Sequence, residues 1–405
     1  MQKSEGVVIL MNRSDIRYLV GSELMEVKPL PVYSEIVCDF LDDLSKELRS
    51  DSEAKKFADI QTFSFWCRKG NIARLKEAYY TRYRRVGRGL VFSIAPSNVP
   101  INFAFSLVFG MISGNANVVR VSEKEFPQTE IVCRNLRKLL KKPHYDILKN
   151  QIQVVSYGHD REINDFYSSR CDVRVIWGGD EAIAQLRQSP IKPRCTEITF
   201  ADRYSFALFD EKAVLELSDK DLAALAEKFY NDTYLFDQNA CSSPHLILWK
   251  ASQNSECGRK RFWEVLYKAA EKYDLQEKKV LDKYTILCEN AAVIEQIDKV
   301  ERYGNLLYVA KCSGIPNDID TLRGKFGLFY ETEFTDIQET CKRLSSKVQT
   351  CVTFGIDNKE LLDAIIDNHA GGIDRIVSVG DAMNIGVYWD GYDVVGSMSR
   401  GVILD

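Results

Sequence analysis

The sequence predicts an α/β protein with two doubly wound domains, each built on a largely parallel sheet. From Gly89 onward, short apolar runs bounded by glycine or proline alternate with amphipathic stretches, the pattern of repeated strand–helix–strand units. The chain has 405 residues, which is enough for two or three domains. Its composition, 45% hydrophobic and 28% charged, is that of a globular protein with a sizeable core.

The region before Gly89 is predicted to be mostly helical. Apolar residues recur at three- and four-residue spacing over residues 32–48 and 57–80, which predicts two helices. A basic cluster at the end of this region is predicted to be a solvated face, and its members are Arg82, Arg84, Arg85 and Arg88.

The first strand–helix–strand unit follows. Residues 90–95 and 117–121 are predicted as strands of a parallel sheet. Between them, residues 99–112 are apolar nearly all round, which predicts a helix buried between layers. The turn before this helix, Pro96-Ser97-Asn98-Val99-Pro100, carries the helix-start signals Asn98 and Pro100.

The alternation continues in a way typical of a doubly wound sheet. Strands are predicted at residues 152–156, 172–177 and 204–209, and helices at residues 161–167 and 181–187. Ligands are expected at the carboxyl ends of such strands. The sequence has no G-x-G-x-x-G fingerprint at a strand–helix turn. Gly178-Gly179 either brings a helix N-terminus close to a pyrophosphate or forms a plain tight turn.

A cysteine in a polar turn is the strongest candidate for chemistry. Cys241 lies in Asp237-Gln238-Asn239-Ala240-Cys241-Ser242-Ser243-Pro244, and the helix before this turn opens with a capping box at Ser218 and Asp221. Residues 245–249 are predicted as a buried strand after the turn. One interpretation is a nucleophile that accepts an acyl group, and the other is a packing cysteine, since free cysteine is often buried. The octapeptide alone leaves both interpretations open.

The remainder of the second region continues the α/β pattern. A helix is predicted around residues 262–269, and strands at residues 305–310, 327–330 and 348–354. The last of these alternates between apolar and polar residues, which predicts a half-buried strand. The closing residues 374–380 and 389–393 are dense in turn residues and aromatics, and they form either a surface flap or an oligomer contact.

Charge and cysteine usage exclude several functional classes. The net charge of −4 argues against a general polyanion binder, so we expect no nucleic-acid partner. The 11 cysteines form no C-x-x-C pair and have no histidine at metal-ligand spacing, so neither a disulfide framework nor a metal site is expected. No signal peptide or membrane-spanning stretch is recognisable, and we expect a protein of the reducing cytoplasm.

From about Gly89 to the C-terminus, the sequence resembles the LuxC family of acyl-thioester reductases, a branch of the aldehyde dehydrogenase superfamily. The most specific parts are the Cys241 octapeptide, Gly372-Ile373-Asp374-Arg375-Ile376-Val377 and Trp389-Asp390-Gly391-Tyr392-Asp393. The resemblance implies an aldehyde-dehydrogenase-like fold with a cofactor-binding domain, a catalytic domain and a small C-terminal flap. It also implies reduction of a long-chain fatty acyl thioester to the aldehyde with NADPH.

The resemblance gives three catalytic candidates, Cys241 as nucleophile, Asn98 as oxyanion donor and Glu197 as a base that neither alignment of its segment supports. The family's cysteine nucleophile corresponds to Cys241. In the superfamily, the oxyanion is bound by the backbone N–H of the nucleophile and by an Asn amide, which corresponds to Asn98. Helix capping is the alternative role of Asn98. The oxidising enzymes of the superfamily activate water with the glutamate of a Glu-Leu-Gly-Gly-Lys segment. If this segment is aligned on Glu197, the glycines that follow the glutamate have no counterpart here; if it is aligned on Arg203, Thr199 takes the place of the glutamate.

The resemblance also suggests a nicotinamide site and no metal. Residues 117–123 are similar to the superfamily strand that ends at the adenosine ribose, and Gly178-Gly179 to its pyrophosphate-side turn. A carboxylate at Glu123 would repel a 2′-phosphate, whereas Arg120 and Lys124 would attract one; NADPH is favoured on the family's behaviour, with NADH as the alternative. Gly324 replaces a ribose-binding glutamate, so the nicotinamide ribose is expected to be held less tightly or differently. The cofactor-binding candidates are Ala95, Pro96, Ser97, Arg120, Ser122, Glu123, Gly178 and Gly179.

We place the N-terminal helical region and the cofactor-binding domain at residues 1–203 and the catalytic domain at residues 204–375. Residues 376–405 then return to the cofactor domain or contact another subunit. Expected partners are a fatty acyl-CoA or acyl-protein thioester, an acyl-protein synthetase and further copies in a homo-oligomer. Two alternative functions stay open: a CoA-acylating or simple aldehyde dehydrogenase on the same fold, and a cysteine acyltransferase or acyl carrier without nicotinamide.

Overall fold

The computed structural model describes residues 7–10, 15–79, 83–251 and 256–404. These residues form two compact units. Unit 1 contains Met1–Ala201 and Gly386–Asp405, and unit 2 contains Asp202–Ile385. No helix of the described ranges is both long enough and apolar enough to cross a membrane.

The chain forms helices and strands throughout both units. The helices are α1 (Glu35–Ser50), α2 (Ala58–Trp66), α3 (Lys69–Ala78), α4 (Asn102–Ile112), α5 (Pro127–Leu139), α6 (Asp146–Lys149), α7 (Arg161–Arg170), α8 (Asp180–Leu186), α9 (Glu211–Leu215), α10 (Asp219–Thr233), α11 (Cys257–Ala270), α12 (Glu277–Val293), α13 (Ile337–Cys341), α14 (Asn358–Asp367) and α15 (Val394–Met398). The strands are β1 (Val7–Leu10), β2 (Arg17–Val20), β3 (Leu24–Val27), β4 (Arg84–Gly87), β5 (Leu90–Ile94), β6 (Ala116–Val121), β7 (Ile152–Ser156), β8 (Val173–Trp177), β9 (Thr196–Phe200), β10 (Tyr204–Asp210), β11 (Pro244–Lys250), β12 (Ile297–Tyr303), β13 (Leu307–Cys312), β14 (Leu328–Phe334), β15 (Val348–Phe354), β16 (Arg375–Ser378), β17 (Tyr388–Trp389), β18 (Tyr392–Asp393) and β19 (Ser399–Val402).

Unit 1 is organised around a six-stranded sheet of order β2-β7-β6-β5-β8-β9. The strands from β5 to β9 run parallel, and β2 is an antiparallel edge strand. From β5 the chain moves outward to β6 and β7 and then returns to β8 on the other side of β5. The switch point of this doubly wound sheet therefore lies between β5 and β8, where a ligand-binding crevice is expected.

Unit 2 is organised around a seven-stranded sheet of order β12-β13-β14-β11-β10-β15-β16. All its strands are parallel except β12, which pairs antiparallel with β13. One apolar cluster covers each face of this sheet. The two sheets confirm the predicted α/β fold, because strands joined by helical crossovers form parallel sheets.

Several sequence predictions are confirmed in detail. Helix α4 is buried from Phe103 to its end, as its all-round apolar surface predicts. Strand β11 begins at Pro244, where the missing N–H is tolerated. The predicted helix start at Ser218 is also confirmed: the Ser218 hydroxyl is the N-cap of α10 and accepts the Asp221 backbone N–H over 3.2 Å.

Other predictions are wrong, each for a structural reason. The N-terminal region is not mostly helical: it also contains β1 to β4, and β2 completes the sheet of unit 1. The long helix predicted over residues 57–80 is two helices, α2 and α3, because Arg68 between them is extended, with φ −59° and ψ 144°; residue 80 lies outside the described residues. Strand β15 is buried almost throughout rather than half-buried, because it lies between β10 and β16 with apolar clusters on both faces.

The predicted basic face is in part a contact within unit 1. Strand β4, which contains Arg85, pairs antiparallel with β19. The Arg85 guanidinium donates to the Gly396 carbonyl over 2.6 Å, and that of Arg88 to the Ser397 carbonyl over 2.8 Å. Arg82 lies outside the described residues. Two of these basic side chains therefore hold the C-terminal residues instead of facing solvent.

Candidate active site

Cys241 lies at the amino edge of the unit 2 sheet. Helix α10 ends at Thr233, a single 3₁₀ turn spans Tyr234–Phe236, and β11 starts at Pro244, so Cys241 directly precedes a parallel strand. Its side chain is neither buried nor fully exposed. A half-exposed thiol in a polar turn can meet a substrate, whereas a packing cysteine would be enclosed by hydrocarbon.

The turn that carries Cys241 has an unusual backbone that other parts of unit 2 hold in place. Asp237 and Gln238 both have φ +57°, in the left-handed region that side chains disfavour. The buried Gln238 amide accepts the Gly327 N–H over 2.8 Å and donates to the Leu328 carbonyl over 3.2 Å. The Asp237 carboxylate accepts Lys279 Nζ over 2.9 Å. Such strained positions persist when surrounding contacts fix them, and they cluster at functional sites.

The sulfur and the carbonyl of Cys241 both have hydrogen-bond partners from neighbouring strands. The Gln349 side-chain amide donates to the Cys241 sulfur over 3.4 Å. The Ser205 hydroxyl donates to the Cys241 carbonyl over 2.6 Å and accepts the Thr350 backbone N–H over 3.2 Å. Strands β10 and β15 therefore fix the position of a residue in the loop that leads into β11.

Arg375 supplies a positive charge that interacts with Cys241. Its guanidinium donates to the carbonyls of Ala382 over 3.3 Å and Asn384 over 3.1 Å. Burial lowers the pKa of Arg375, and the negative charges of the Cys241 thiolate, Asp232 and Asp381 oppose that shift. By reciprocity, the guanidinium favours the thiolate form of Cys241, which is the nucleophilic one.

Asp232 fixes the segment that holds Arg375. This fully buried carboxylate on α10 accepts the backbone N–H groups of Gly380 over 2.6 Å and Ala382 over 3.1 Å. Burial raises the pKa of Asp232 to about 7, although these two hydrogen bonds and the charge of Arg375 favour its ionised form. The carboxylate links α10, which leads into the Cys241 turn, to the loop after β16.

A buried lysine supports the same side of unit 2. Lys283 of α12 is fully buried, and its ammonium donates to the carbonyls of Phe326, over 2.9 Å, and Asn305. Phe326 in turn donates its N–H to the Asp237 carbonyl over 3.3 Å. Burial lowers the pKa of Lys283 to about 7, with a smaller contribution from the charge of Arg302.

We expect Lys283 to make the free energy of unfolding rise with pH. Between the folded pKa of about 7 and the ordinary lysine value of 10.5, the unfolded chain binds a proton at Lys283 that the folded chain releases, so raising the pH favours folding. Relative to a Lys283→Met variant, wild type should gain about 2 kcal/mol from about pH 7 to about pH 9. Urea unfolding of both proteins at the two pH values measures this difference, and parallel pH dependences would contradict it.

Asn98 lies in unit 1, in the turn between β5 and α4. It is exposed, and it does not cap α4, because the N-cap residue is Ile101 and this helix has no side-chain cap. The capping alternative is therefore wrong. The oxyanion role that the resemblance assigns to Asn98 stays a prediction.

The eight cofactor-binding candidates lie at one edge of the unit 1 sheet, at the carboxyl ends of three adjacent strands. Three follow β5, three lie at the end of β6 and two follow β8: Ala95, Pro96, Ser97, Arg120, Ser122, Glu123, Gly178 and Gly179. The turns after β5 and β6 line a narrow cleft, and Lys124 is one of its lining residues. This is the edge where a doubly wound sheet binds a nucleotide, and its position fits a nicotinamide dinucleotide.

The glycine pair leaves open space above the end of β8. Among the residues that the structure describes, a Cβ atom at Gly179 would have no neighbour within 4 Å, and one at Gly178 would make an ordinary contact with Ala182 at 3.4 Å. The φ of Gly179 is −69°, which any residue adopts. Neither packing nor backbone strain within the chain requires glycine here, and the open turn fits a group that approaches the backbone closely.

Arg120 and Glu123 each lie close to a neighbouring residue of unit 1. The Arg120 guanidinium donates to the Tyr157 carbonyl over 3.0 Å and lies 5.4 Å from the centre of the Tyr157 ring. The exposed Glu123 carboxylate lies beside Gly158, where an added Cβ would be 3.2 Å from it. Both charges are thus at the predicted adenosine edge of the sheet.

Glu197 is held in an ion-pair network on β9. Its carboxylate accepts Arg174 Nε over 2.8 Å and Arg187 Nε over 2.7 Å. Burial raises the pKa of Glu197, but the two arginines outweigh that effect, and the net shift is downward. A carboxylate stabilised in this way is a weak base.

Gly324 has a steric reason to be glycine. A Cβ atom at this position would collide with the Leu328 carbonyl oxygen. His245 Nδ1 lies 3.0 Å from the Gly324 carbonyl oxygen and 3.2 Å from the Gly324 nitrogen, and burial lowers the pKa of His245 to about 3, which keeps this ring neutral. A glutamate at position 324 is therefore incompatible with this local backbone.

Sequence reasoning assigned no role to Gln349, Arg375 or Asp232. Arg375 was noted only as part of a motif, and Asp232 is one of several acidic residues on its helix. Gln349 is the one residue with an amide side chain in strand β15, and this is the signal that could have singled it out. Across the described residues, no group of three or more His, Cys, Asp or Glu side chains could hold a metal ion.

A family model described as acyl-CoA reductase (LuxC) matches residues 71–304, more than half of the chain. The chain belongs to the LuxC family. The matched range contains every residue that the resemblance singled out as catalytic or cofactor-binding, from Ala95 to Cys241. It ends before Gln349 and Arg375.

Two curated relatives agree with this assignment to the LuxC family. The long-chain acyl-protein thioester reductase of Vibrio harveyi is 25% identical over 200 residues, which are 47% of this chain and 39% of that protein. The protein of the same name from Aliivibrio fischeri is 23% identical over 160 residues, 38% of this chain and 31% of that protein. The match thus spans less than half of either relative.

Solved structures establish the fold of this LuxC-family chain as aldehyde-dehydrogenase-like. An oxidoreductase from Marinobacter aquaeolei has a TM-score of 0.61 at 13% identity, covering 92% of this chain and 86% of that chain. A salicylaldehyde dehydrogenase from Pseudomonas putida G7 has a TM-score of 0.60 at 13% identity, covering 90% and 84%. At this identity the likeness concerns the fold alone.

Proposed function

We propose that this LuxC-family chain reduces a fatty acyl thioester to the fatty aldehyde with NADPH, through an acyl-enzyme on Cys241. The observation that carries the proposal is the Cys241 thiol itself: half-exposed in a polar turn, within 3.4 Å of the Gln349 amide and coupled to the charge of Arg375. An amide donor and a cation are the surroundings that convert a thiol into a nucleophile.

The reaction follows from thiol chemistry. The Cys241 thiolate attacks the thioester carbonyl carbon, and the tetrahedral oxyanion collapses with release of the substrate's thiolate, which leaves the acyl group on Cys241. The Cys241 backbone N–H and the Asn98 amide bind the oxyanion in this proposal. A bound reduced nicotinamide supplies the hydride for the acyl carbon. The resulting hemithioacetal expels the aldehyde and regenerates the Cys241 thiolate.

The surroundings of Glu197 favour reduction over hydrolysis. Release of an acid from the acyl-enzyme needs a base to activate water, and Glu197 is ion-paired with Arg174 and Arg187. We therefore assign Glu197 to holding strand β9 beside β8, not to proton transfer. Without an activated water, the acyl-enzyme is left to react with hydride.

Unit 1 is the proposed cofactor-binding domain and unit 2 the catalytic domain. The carboxyl ends of β5, β6 and β8 in unit 1 offer an open turn at Gly178-Gly179 and cationic side chains at Arg120 and Lys124. Those cations favour the 2′-phosphate of NADPH, whereas Glu123 favours the free ribose hydroxyls of NADH. We favour NADPH.

The substrate and partners of the whole protein are also part of the proposal. Both curated relatives are named long-chain acyl-protein thioester reductases, which supports a long acyl chain on CoA or on a protein. An acyl-protein synthetase that hands over the acyl group, a homo-oligomer and a cytoplasmic location complete the proposal.

The function is tested by following acyl transfer and reduction separately. Wild-type protein is incubated with a long-chain acyl-CoA with and without NADPH. Acylation of Cys241 is measured by peptide mass spectrometry, and the aldehyde formed is measured in the same samples. We expect acyl-Cys241 to accumulate without NADPH, and aldehyde to form in step with NADPH oxidation when it is added. The exposed Cys257 and Cys288 serve as internal controls and should stay free.

Two other results would overturn the proposal in favour of the alternatives. Free acid formed from an aldehyde and NAD, without aldehyde from acyl-CoA, would indicate an aldehyde-oxidising enzyme. Acylation of Cys241 that is unaffected by NADPH, in a protein that does not bind it, would indicate an acyltransferase.

A further inference from the structure

Two irregularities in strand pairing flank Ser205 at the amino edge of the unit 2 sheet. Between β10 and β15, Tyr204 pairs with Val348 but Ser205 pairs with Thr350, so Gln349 is an extra residue. Between β10 and β11, Ser205 pairs with Pro244 but Phe206 pairs with Leu246, so His245 is an extra residue. Bulges re-aim a side chain and are over-represented next to active sites.

The bulge points the Gln349 side chain at the sulfur of Cys241. Gln349 is 1% exposed, so its amide must find its hydrogen bonds inside the protein. The Thr350 hydroxyl donates to the Gln349 amide oxygen over 3.3 Å, and the amide nitrogen donates to the Cys241 sulfur over 3.4 Å. The amide is therefore held as a donor towards the sulfur, and a donor favours a thiolate over a thiol.

Arg375 lies on the strand next to the Gln349 bulge. Strand β16 starts at Arg375, which pairs with Thr350, the residue after the bulge. Asp232 holds the loop after β16 through Gly380 and Ala382, and the Ala382 carbonyl accepts the Arg375 guanidinium. The cation is thus fixed by a buried carboxylate and by strand pairing.

We propose that Gln349 and Arg375 together stabilise the thiolate of Cys241 in the free protein, Gln349 as a direct hydrogen-bond donor to the reacting sulfur and Arg375 as a positioning charge. The role of this thiolate in catalysis rests on the proposed function, but its stabilisation by Gln349 and Arg375 does not. As a statement about one thiol, it is tested without any acyl substrate or nicotinamide.

The other charges around Cys241 define what the test must separate. Asp232 on α10 and Asp381 in the loop after β16 act on Arg375 with negative charge. Asp237, in the turn that carries Cys241, is paired with Lys279 and accepts the Tyr273 hydroxyl. Arg375 on β16 contributes a positive charge that interacts with the thiolate. Removing Gln349 leaves all of these charges in place, so its effect reports the hydrogen bond alone.

The experiment measures alkylation of each cysteine by iodoacetamide as a function of pH, resolved by peptide mass spectrometry. Wild-type protein is compared with Gln349→Met, which keeps the side-chain length but has no amide donor. We expect the alkylation rate of Cys241 at neutral pH to fall by about tenfold, which corresponds to a rise of about one unit in its pKa. The exposed Cys288 should react equally in both proteins.

A matched control separates the loss of the hydrogen bond to Cys241 from a general loss of stability caused by replacing a buried glutamine. Gln153 of β7 is another buried strand glutamine, whose amide donates to the Ser22 carbonyl over 2.6 Å in unit 1. Gln153→Met should leave the alkylation profile of Cys241 unchanged. An unchanged Cys241 profile in a folded Gln349→Met variant, or an equal shift in both variants, overturns the role of Gln349.

Two further measurements keep the proposal testable if Gln349→Met does not fold. In wild type, the thiolate of Cys241 must form at lower pH than that of Cys288, and the reverse order overturns the proposal. Arg375→Lys, which keeps the charge, should shift the Cys241 profile less than Arg375→Gln does. Equal shifts in these two variants overturn the part assigned to Arg375.

Discussion

Replacing Cys241 by alanine is expected to abolish aldehyde formation from a long-chain acyl-CoA, with a loss of at least about 10⁴-fold in kcat. The loss follows because no acyl-enzyme can form, so hydride has no covalent acceptor. Aldehyde formation and NADPH oxidation are measured with the purified variant, and peptide mass spectrometry checks that no acyl group remains on the protein. Because the side chain is half-exposed, its removal should leave the melting temperature within a few degrees of wild type.

Cysteines of the same unit provide the controls for this variant. Cys257 on α11 and Cys288 on α12 are both exposed, and neither belongs to the proposed site. Cys257→Ala and Cys288→Ala should keep kcat within about twofold of wild type. Full turnover by the Cys241→Ala variant would return Cys241 to a packing role and remove the proposed mechanism.

Replacing Asn98 by alanine is expected to lower the rate of Cys241 acylation by about 10²- to 10³-fold, the usual effect of losing one oxyanion donor. An effect of this substitution on folding is not expected, because Asn98 is exposed and does not cap α4, whose N-cap residue is Ile101. The free energy of unfolding should therefore change by less than about 0.5 kcal/mol. Single-turnover acylation without NADPH and a urea titration measure the two quantities.

The acylation rate and the free energy of unfolding of the Asn98→Ala variant together decide the role of Asn98. A large loss of rate with unchanged stability supports an oxyanion donor. A loss of stability with an unchanged acylation rate would show that the turn after β5 needs Asn98 for its own conformation and would contradict the catalytic assignment. The pH dependence of Cys241 alkylation should not change in Asn98→Ala, since the donor acts on the oxyanion and not on the thiolate.

The closing residues carry sequence motifs whose position in the fold could not be predicted from the sequence. The sequence left the turn-rich end of the chain as a flap or an oligomer contact. In the structure the chain changes unit between Ile385 and Gly386, so Arg375 belongs to unit 2, and the Trp389-Asp390-Gly391-Tyr392-Asp393 segment belongs to unit 1. There Tyr392 packs edge-on against Phe200, and β19 pairs with β4. The place of the closing segment depends on contacts with residues roughly two to three hundred positions earlier, which leave no local signal.

The edge of the sheet on which the cysteine lies was also decided by tertiary structure. The general rule for parallel sheets places ligands at the carboxyl ends of strands, and the cofactor candidates of unit 1 lie there. Cys241 instead precedes β11, and its partners Ser205, Gln349 and Arg375 lie at the amino ends of β10, β15 and β16. The sequence placed Cys241 between a helix and a strand but gave no sign of the strands beside it.

The sequence by itself determined the α/β class, most strands of both sheets, the buried helix α4 and the polar turn around Cys241, because periodicity, turn residues and capping boxes act over a few neighbouring residues. The LuxC motifs added the family and the proposal that Cys241 is its nucleophile. Only the tertiary structure decided that Gln349, 108 positions from Cys241, donates to its sulfur, and that Arg375 and Asp232 belong to the same network. These contacts depend on the order of the strands in the sheet and on one extra residue in β15. Neither feature produces a periodic pattern of apolar residues in the sequence.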